Sequence, residues 1–173
     1  MMTIRMLGLI MLASASPGLG QSLLPQSVAI EQVDLAASAR AIIVQSGDAN
    51  ATDLRQRIAD NRADIVQNGV GNDFAALQDG VGTGFNIIHA VQTGSANAAR
   101  IDQFAAAGEA NLITLRQDGS NNLADLVQTG NANSVGLDQL GDGNQAQVTQ
   151  TGSALALSIT QTGGAAVAIA QGR

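Results

Sequence analysis

The chain has 173 residues, with no Cys, Trp or Tyr, three Phe, and only 13% charged residues. That is too little charge for ordinary disorder and too few aromatics for an ordinary globular core, and without Cys there are neither disulfide staples nor a thiolate zinc site. The net charge of −6 argues against nucleic acid as a partner and serves solubility more than binding.

Residues 1–20 read as a secretory leader. Arg5 supplies the positive start, Met6 to Ala13 a short apolar run, and small-x-small sites follow at Ala13-Ser14-Ala15 and Gly18-Leu19-Gly20. The run falls well short of the roughly 20 residues that span a bilayer, so the expectation is an exported chain cut after Ala15 or Gly20. Residues 21–38 form an N-terminal segment with one irregular repeat. Gln26 to Gln32 alternates as a strand, with Val28 and Ile30 inward, and a lengthened arc leads to Ala39.

From Ala39 to Arg173 one unit recurs, clearest in Gln92-Thr93-Gly94-Ser95-Ala96-Asn97-Ala98-Ala99-Arg100-Ile101-Asp102-Gln103. The rule is Gln-x-Gly-x-x-Asn-x-Ala-x-Ile-x-Gln, each closing Gln opening the next unit. Glutamines mark the joints at Gln32, Gln45, Gln56, Gln67, Gln78, Gln92, Gln103, Gln117, Gln128, Gln139, Gln150 and Gln161, mostly at a spacing of eleven. Asparagines open the strands at Asn50, Asn61, Asn72, Asn86, Asn97, Asn111, Asn122, Asn133 and Asn144. Arc glycines stand at Gly47, Gly69, Gly80, Gly94, Gly119, Gly130, Gly141, Gly152 and Gly163. A fixed period of this kind means units that bury their apolar faces only by stacking.

Within a unit the residues alternate, so Asn97, Ala99, Ile101 and Gln103 share one face and Ala98, Arg100 and Asp102 the other. One unit is a strand plus a Gly-containing arc, and two units close a coil of about 22 residues. The predicted fold is all-β: a β-solenoid of about six two-strand coils with parallel stacked strands. In this frame no charged residue points inward; the inward pairs are small or aliphatic, such as Ala63/Ile65 and Ala124/Leu126, with Phe74 the one aromatic. A thin, dry core requires that exclusion, because an unpaired buried charge costs several kcal/mol. Inward Gln and Asn are tolerable only if each amide bonds its equivalent in the next coil, roughly 4.8 Å away. They are expected to form ladders.

Three arcs are enlarged, before Ala39, Asn86 and Asn111, and the unit count places all three on the same side of a two-strand coil. After Asp142 no charge appears until Arg173, so the coils from Gly143 to Gln171 lack the charges that guard strand edges and are expected to be the adhesive end. Leu155 and Ala166 stand where Asn is expected, and the last strand, Val167 to Gln171, is out of frame by one residue.

The repeated Gln-x-Gly-x-x-Asn-x-Ala-x-x-x-Gln, from about residue 26 to 171, resembles the curlin repeat of bacterial curli, the secreted functional amyloid of biofilms. The resemblance implies a β-solenoid subunit that polymerises at the cell surface with itself and other curlin subunits, after passage through outer-membrane secretion machinery. Ala39 to Gly47 and Ala168 to Arg173 look more like the minor, nucleating subunit than the bulk one, although that type usually ends in more basic residues.

No enzymatic chemistry is expected. His89 falls on an outward strand position and reads as solvated. The aspartates are scattered without a close inward pair for acid–base hydrolysis. Asp79-Gly80-Val81-Gly82-Thr83-Gly84 has no Lys and leads into no helix, so it reads as an enlarged arc, not a phosphate loop. No cofactor, metal, nucleic acid or small-molecule substrate is expected. The rival readings are a monomeric β-solenoid adhesin and a carbohydrate-active β-helix protein.

Overall fold

The computed structural model describes residues 9–14, 25–33, 39–57, 60–106 and 108–173. The strands are β1 (Leu9–Ser14), β2 (Ser27–Val33), β3 (Arg40–Asp48), β4 (Ala51–Arg57), β5 (Arg62–Val70), β6 (Asp73–Gly80) and β7 (Asn86–Ser95). They continue as β8 (Ala98–Ala105), β9 (Asn111–Ser120), β10 (Leu123–Asn131), β11 (Ser134–Leu140), β12 (Gln145–Ser153), β13 (Ala156–Thr162) and β14 (Ala166–Gly172). Among the described residues there is no helix.

Odd-numbered strands form one seven-stranded sheet and even-numbered strands a second. Neighbours within a sheet are two strands apart in sequence and parallel, as in Gln67↔Gln92 and Gln78↔Gln103. The chain therefore winds from sheet to sheet: a β-solenoid of about six coils. The reason is local. Apolar residues recur at every second position, and the positive-φ residues of each arc, such as Gly94 and Ala96, turn the chain onto the facing sheet.

The inward faces meet in a narrow core. Ala41, Ile43, Leu54, Ala63, Ile65, Phe74, Ile88, Ile101, Ile113, Ala124, Leu126, Leu137 and Val148 are buried. Phe74 is followed by Ala76, reversing the small-then-large order of Ala63/Ile65 and Ala99/Ile101, so the bulky ring stands next to a small inward neighbour. The buried polar residues among those described are Gln, Asn and Thr52; none is charged.

The enlarged arcs join β2 to β3, β6 to β7 and β8 to β9. All three run from the even sheet to the odd one, so they share a side, as the two-strand coil requires. The arcs of β6–β7 and β8–β9 also bond each other, Val81 N–H donating to Ala105 O at 3.0 Å and Asn111 N–H to Phe85 O at 3.2 Å.

One expectation needs correction. Ala165, not Ala166, takes the Asn position before β14, its N–H donating to Asn144 Oδ1 at 3.1 Å. The arc after Gln161 is one residue short, and Gly163 and Gly164, both left-handed (φ 60° and 74°), close it in fewer residues. The out-of-frame strand thereby returns to register, with Gln171 opposite Gln150.

At the ends, β13 pairs only with β11 and β14 only with β12, and their inward residues Leu157, Ile159, Val167 and Ile169 are only half-buried. At the other end β1 lies on β3, Ala13 opposite Gln45. The remainder of the expected leader, and both proposed cleavage points, lie outside the described residues.

Candidate functional site

The polar residues of the interior form four columns, two per sheet. In the odd sheet Gln45 Nε2 donates to Gln67 Oε1 at 2.6 Å, Gln67 to Gln92, Gln92 to Gln117 and Gln117 to Gln139 each at 2.8 Å, and Gln139 to Gln161 at 2.9 Å. In the even sheet the series runs Gln32, Gln56, Gln78, Gln103, Gln128, Gln150 and Gln171, with distances of 2.6 to 3.2 Å. Every Gln of a column but its last donates toward the C-terminal end. The amide also reaches a backbone carbonyl across the core: Gln92 to Asp73 O at 2.9 Å, Gln139 to Leu123 O at 3.0 Å. Each Gln thus ties its coil to the next and its sheet to the facing one.

The asparagines point their donors the other way. In the even sheet Asn72 Nδ2 donates to Asn50 Oδ1 at 3.1 Å, and Asn97 to Asn72, Asn122 to Asn97 and Asn144 to Asn122 each at 3.0 Å. In the odd sheet Asn86 donates to Asn61 at 3.0 Å and Asn111 to Asn86 at 3.3 Å, while Asn133 N–H reaches Asn111 Oδ1 at 3.1 Å. Opposed Gln and Asn columns let their amide dipoles partly cancel along the axis. The Asn amide also caps an arc carbonyl of the following coil, Asn97 to Gly119 O at 2.9 Å and Asn133 to Gly152 O at 3.0 Å. All these amides except that of the terminal Gln171 are buried, which is tolerable only because the partner repeats with the coil.

The arcs stack as closely as the strands. Gly94 has φ 106°, and a Cβ there would lie 2.0 Å from Gly119 O. Gly47, Gly69, Gly119, Gly130, Gly141, Gly152 and Gly163 share the positive φ. Gly80 does not: it ends β6, buried, its N–H held by Asp79 Oδ1 at 2.8 Å.

Several contributors escape a reading of the repeat rule. Gln171 joins the even column although it stands one position closer to Gln161 than the rule sets. Thr52 Oγ1 bridges the odd column, receiving from Gln45 Nε2 at 3.3 Å and donating to Gln67 Oε1 at 2.9 Å. Ala49, Ala96, Asn121, Ala132 and Ala154 hold φ of 54° to 58° just before the strand-opening position. In β5–β6, β11–β12 and β13–β14 that position is Gly71, Gly143 and Gly164, which is the signal available in sequence.

The outer faces carry short-range ion pairs: Arg55 with Asp53, Arg62 with Asp64, Arg100 with Asp102 and Arg116 with Asp118. His89 Nδ1 stands 3.3 Å from Asp64 Oδ2. Exposed pairs of this kind contribute about 0–1 kcal/mol. Among the described residues no three His, Asp or Glu converge on a point that would hold a metal.

Residues 108–141 and 130–163 match the family model of the curlin associated repeat. The two matches are offset by 22 residues, one coil of the solenoid. Residues 108–163 therefore carry curlin associated repeats. No curated protein and no solved structure matches it.

Proposed function

We propose that this curlin-repeat chain is a structural subunit of an extracellular fibre, lengthened by stacking one copy on the end of another. The observation that carries the reading is how the interior is held: each buried amide is satisfied by its equivalent one coil away, and at β13 and β14 the columns stop with half-buried apolar residues beside them. An exposed strand edge is a template for another strand. A second copy supplies the same backbone ladder, the same aliphatic pair and the same Gln, so polymerisation continues the intramolecular fold and needs no catalysis. The N-terminal leader delivers the chain to the outside of the cell, and the fibre there serves adhesion and matrix building, with the chain nucleating a second curlin subunit.

The test is assembly of the purified chain in the presence of an amyloid-reporting dye, alone and as seed for a bulk curlin subunit. The reading expects a lag followed by growth, a lag abolished by preformed fibres, and seeding of the second subunit. A chain that stays monomeric would support the adhesin reading instead.

A further inference from the structure

The end-to-end reading leaves open how one copy is set on the next, and the strand count decides it. From β2 to β14 there are thirteen strands, seven in the even sheet and six in the odd. An odd number cannot repeat by simple translation without a gap. If β2 of a second copy lay on β14, the even sheet would continue, but β13 and the second copy's β3 would be separated by an empty strand position in the odd sheet. The gap closes if β2 of the second copy lies on β13 and its β3 on β14. Resting on the fibre-subunit reading, we propose that successive copies are related by a half-turn about the fibre axis, with the odd sheet of one copy continuing as the even sheet of the next.

The residues at the two ends fit this junction. Gln45 Oε1 is buried and accepts no hydrogen bond, although Gln45 Nε2 donates to three acceptors. Every other Gln after it in the odd column receives the amide of the preceding coil. In the half-turn arrangement Gln171 stands over the second copy's Gln45, and Gln161 over the second copy's Gln32, so both columns continue in the direction in which their glutamines donate. Val167 and Ile169 then cover Ala41 and Ile43. In the translated arrangement Gln45 Oε1 faces the gap and meets no protein donor.

The Asn columns agree with a junction at this level. They end one strand short on each side of it: Leu155 and Ala165 occupy the Asn positions of β13 and β14, and Ala39 that of β3. At the junction Ala165 stands over Ala39, and Leu155 over Gln26, whose Nε2 already donates to Gly47 O at 2.6 Å. No charge opposes the contact either, since the outward residues of β14 are Ala166, Ala168 and Ala170.

The N-terminal segment now has a defined place. β1 pairs in register with β3, in the position that β14 of another copy would take, and it brings Ala13, which has no amide, opposite Gln45. With β1 retained the chain presents fourteen strands, an even number, and the β3 edge is covered. Loss of Leu9–Ser14 both vacates the edge and makes the count odd. The half-turn also moves the enlarged arcs, all on one side within a copy, to opposite sides in successive copies.

The experiment uses the full chain, exported and assembled, in two double-cysteine forms on exposed outward positions of a Cys-free protein. Ala29→Cys with Ser158→Cys pairs β2 with β13, and Ala29→Cys with Ala168→Cys pairs β2 with β14; facing residues of neighbouring strands lie about 4.8 Å apart, within disulfide reach. The proposal expects oxidised fibres of the first form to run as covalent multimers and those of the second to stay monomeric on a denaturing gel. Wild-type fibres give a check free of substitution. Alternating arcs produce an axial repeat of two copies, about 62 Å for thirteen coils at 4.8 Å, against about 34 Å for translation with a gap. Cross-linking of the second form, the shorter repeat, or mass spectra showing residues 9–14 retained in the fibre would each overturn the half-turn while leaving the fibre reading standing. A chain that never assembles would overturn both.

Discussion

At the scale of the residue, the interior depends on amides that are tolerable only in company. Gln92 accepts from Gln67 and donates to Gln117, Asp73 O and Asn97 O. Gln92→Leu leaves Gln117 Oε1 buried without a donor, and we expect a loss of about 1–3 kcal/mol in urea denaturation. Gln171→Leu, at the open end of its column, orphans nothing, because Gln150 Nε2 also donates to Ser134 O at 3.2 Å. Its cost is expected to stay below about 1 kcal/mol. Equal losses at the two positions would contradict the ladder account. The arcs hold a residue-scale strain as well. Ala96 sits at φ 54°, where a Cβ costs about 1–2 kcal/mol, so Ala96→Gly is expected to raise stability by about 1 kcal/mol after the added freedom of the unfolded chain is subtracted. A decrease would mean that the strain is relieved by contacts of the Ala96 methyl.

At the scale of the element, each arc is constrained by the one above it. Gly94→Ala would place a methyl 2.0 Å from Gly119 O, and since the obstacle is backbone the two coils must separate. The expected loss is about 3 kcal/mol, with faster hydrogen exchange in β7 and β9 first. Protection unchanged in both strands would show that the arcs do not fix coil spacing. The same elements show what the sequence makes legible. Strand frame, coil length and the shared side of the enlarged arcs follow from the alternation around Ile101 and from joints spaced by eleven, thirteen or fourteen, because period 2 and a recurring joint are written in residue types. The register of β14 is not written there. It depends on two successive left-handed glycines shortening an arc, and letters alone do not distinguish that from a frame slip. Nor does the repeat rule convey the direction of donation: Gln and Asn carry the same amide, and only the longer Gln side chain crosses to the facing sheet while Asn turns back to its own arc.

At the scale of the molecule, the solenoid differs from a globular domain in having ends that resemble its middle. β14 is the terminal strand of the even sheet, so a chain stopping at Gly164 has twelve strands from β2 to β13. The parity argument then predicts translation without rotation: enlarged arcs on one side along the whole fibre and an axial repeat of about 29 Å for six coils. Retention of alternating arcs in that truncated chain would refute the parity argument. Assembly should also slow, because the strand bearing Gln171 no longer presents an edge. The central claim is that the contacts between copies are the contacts between coils. X-ray diffraction from aligned fibres of the chain tests it most directly. The account predicts a meridional reflection at about 4.8 Å from strands stacked along the axis and an equatorial one at about 10 Å from the two facing sheets. Fibres lacking that meridional reflection, or a chain that remains a stable monomer, would contradict it.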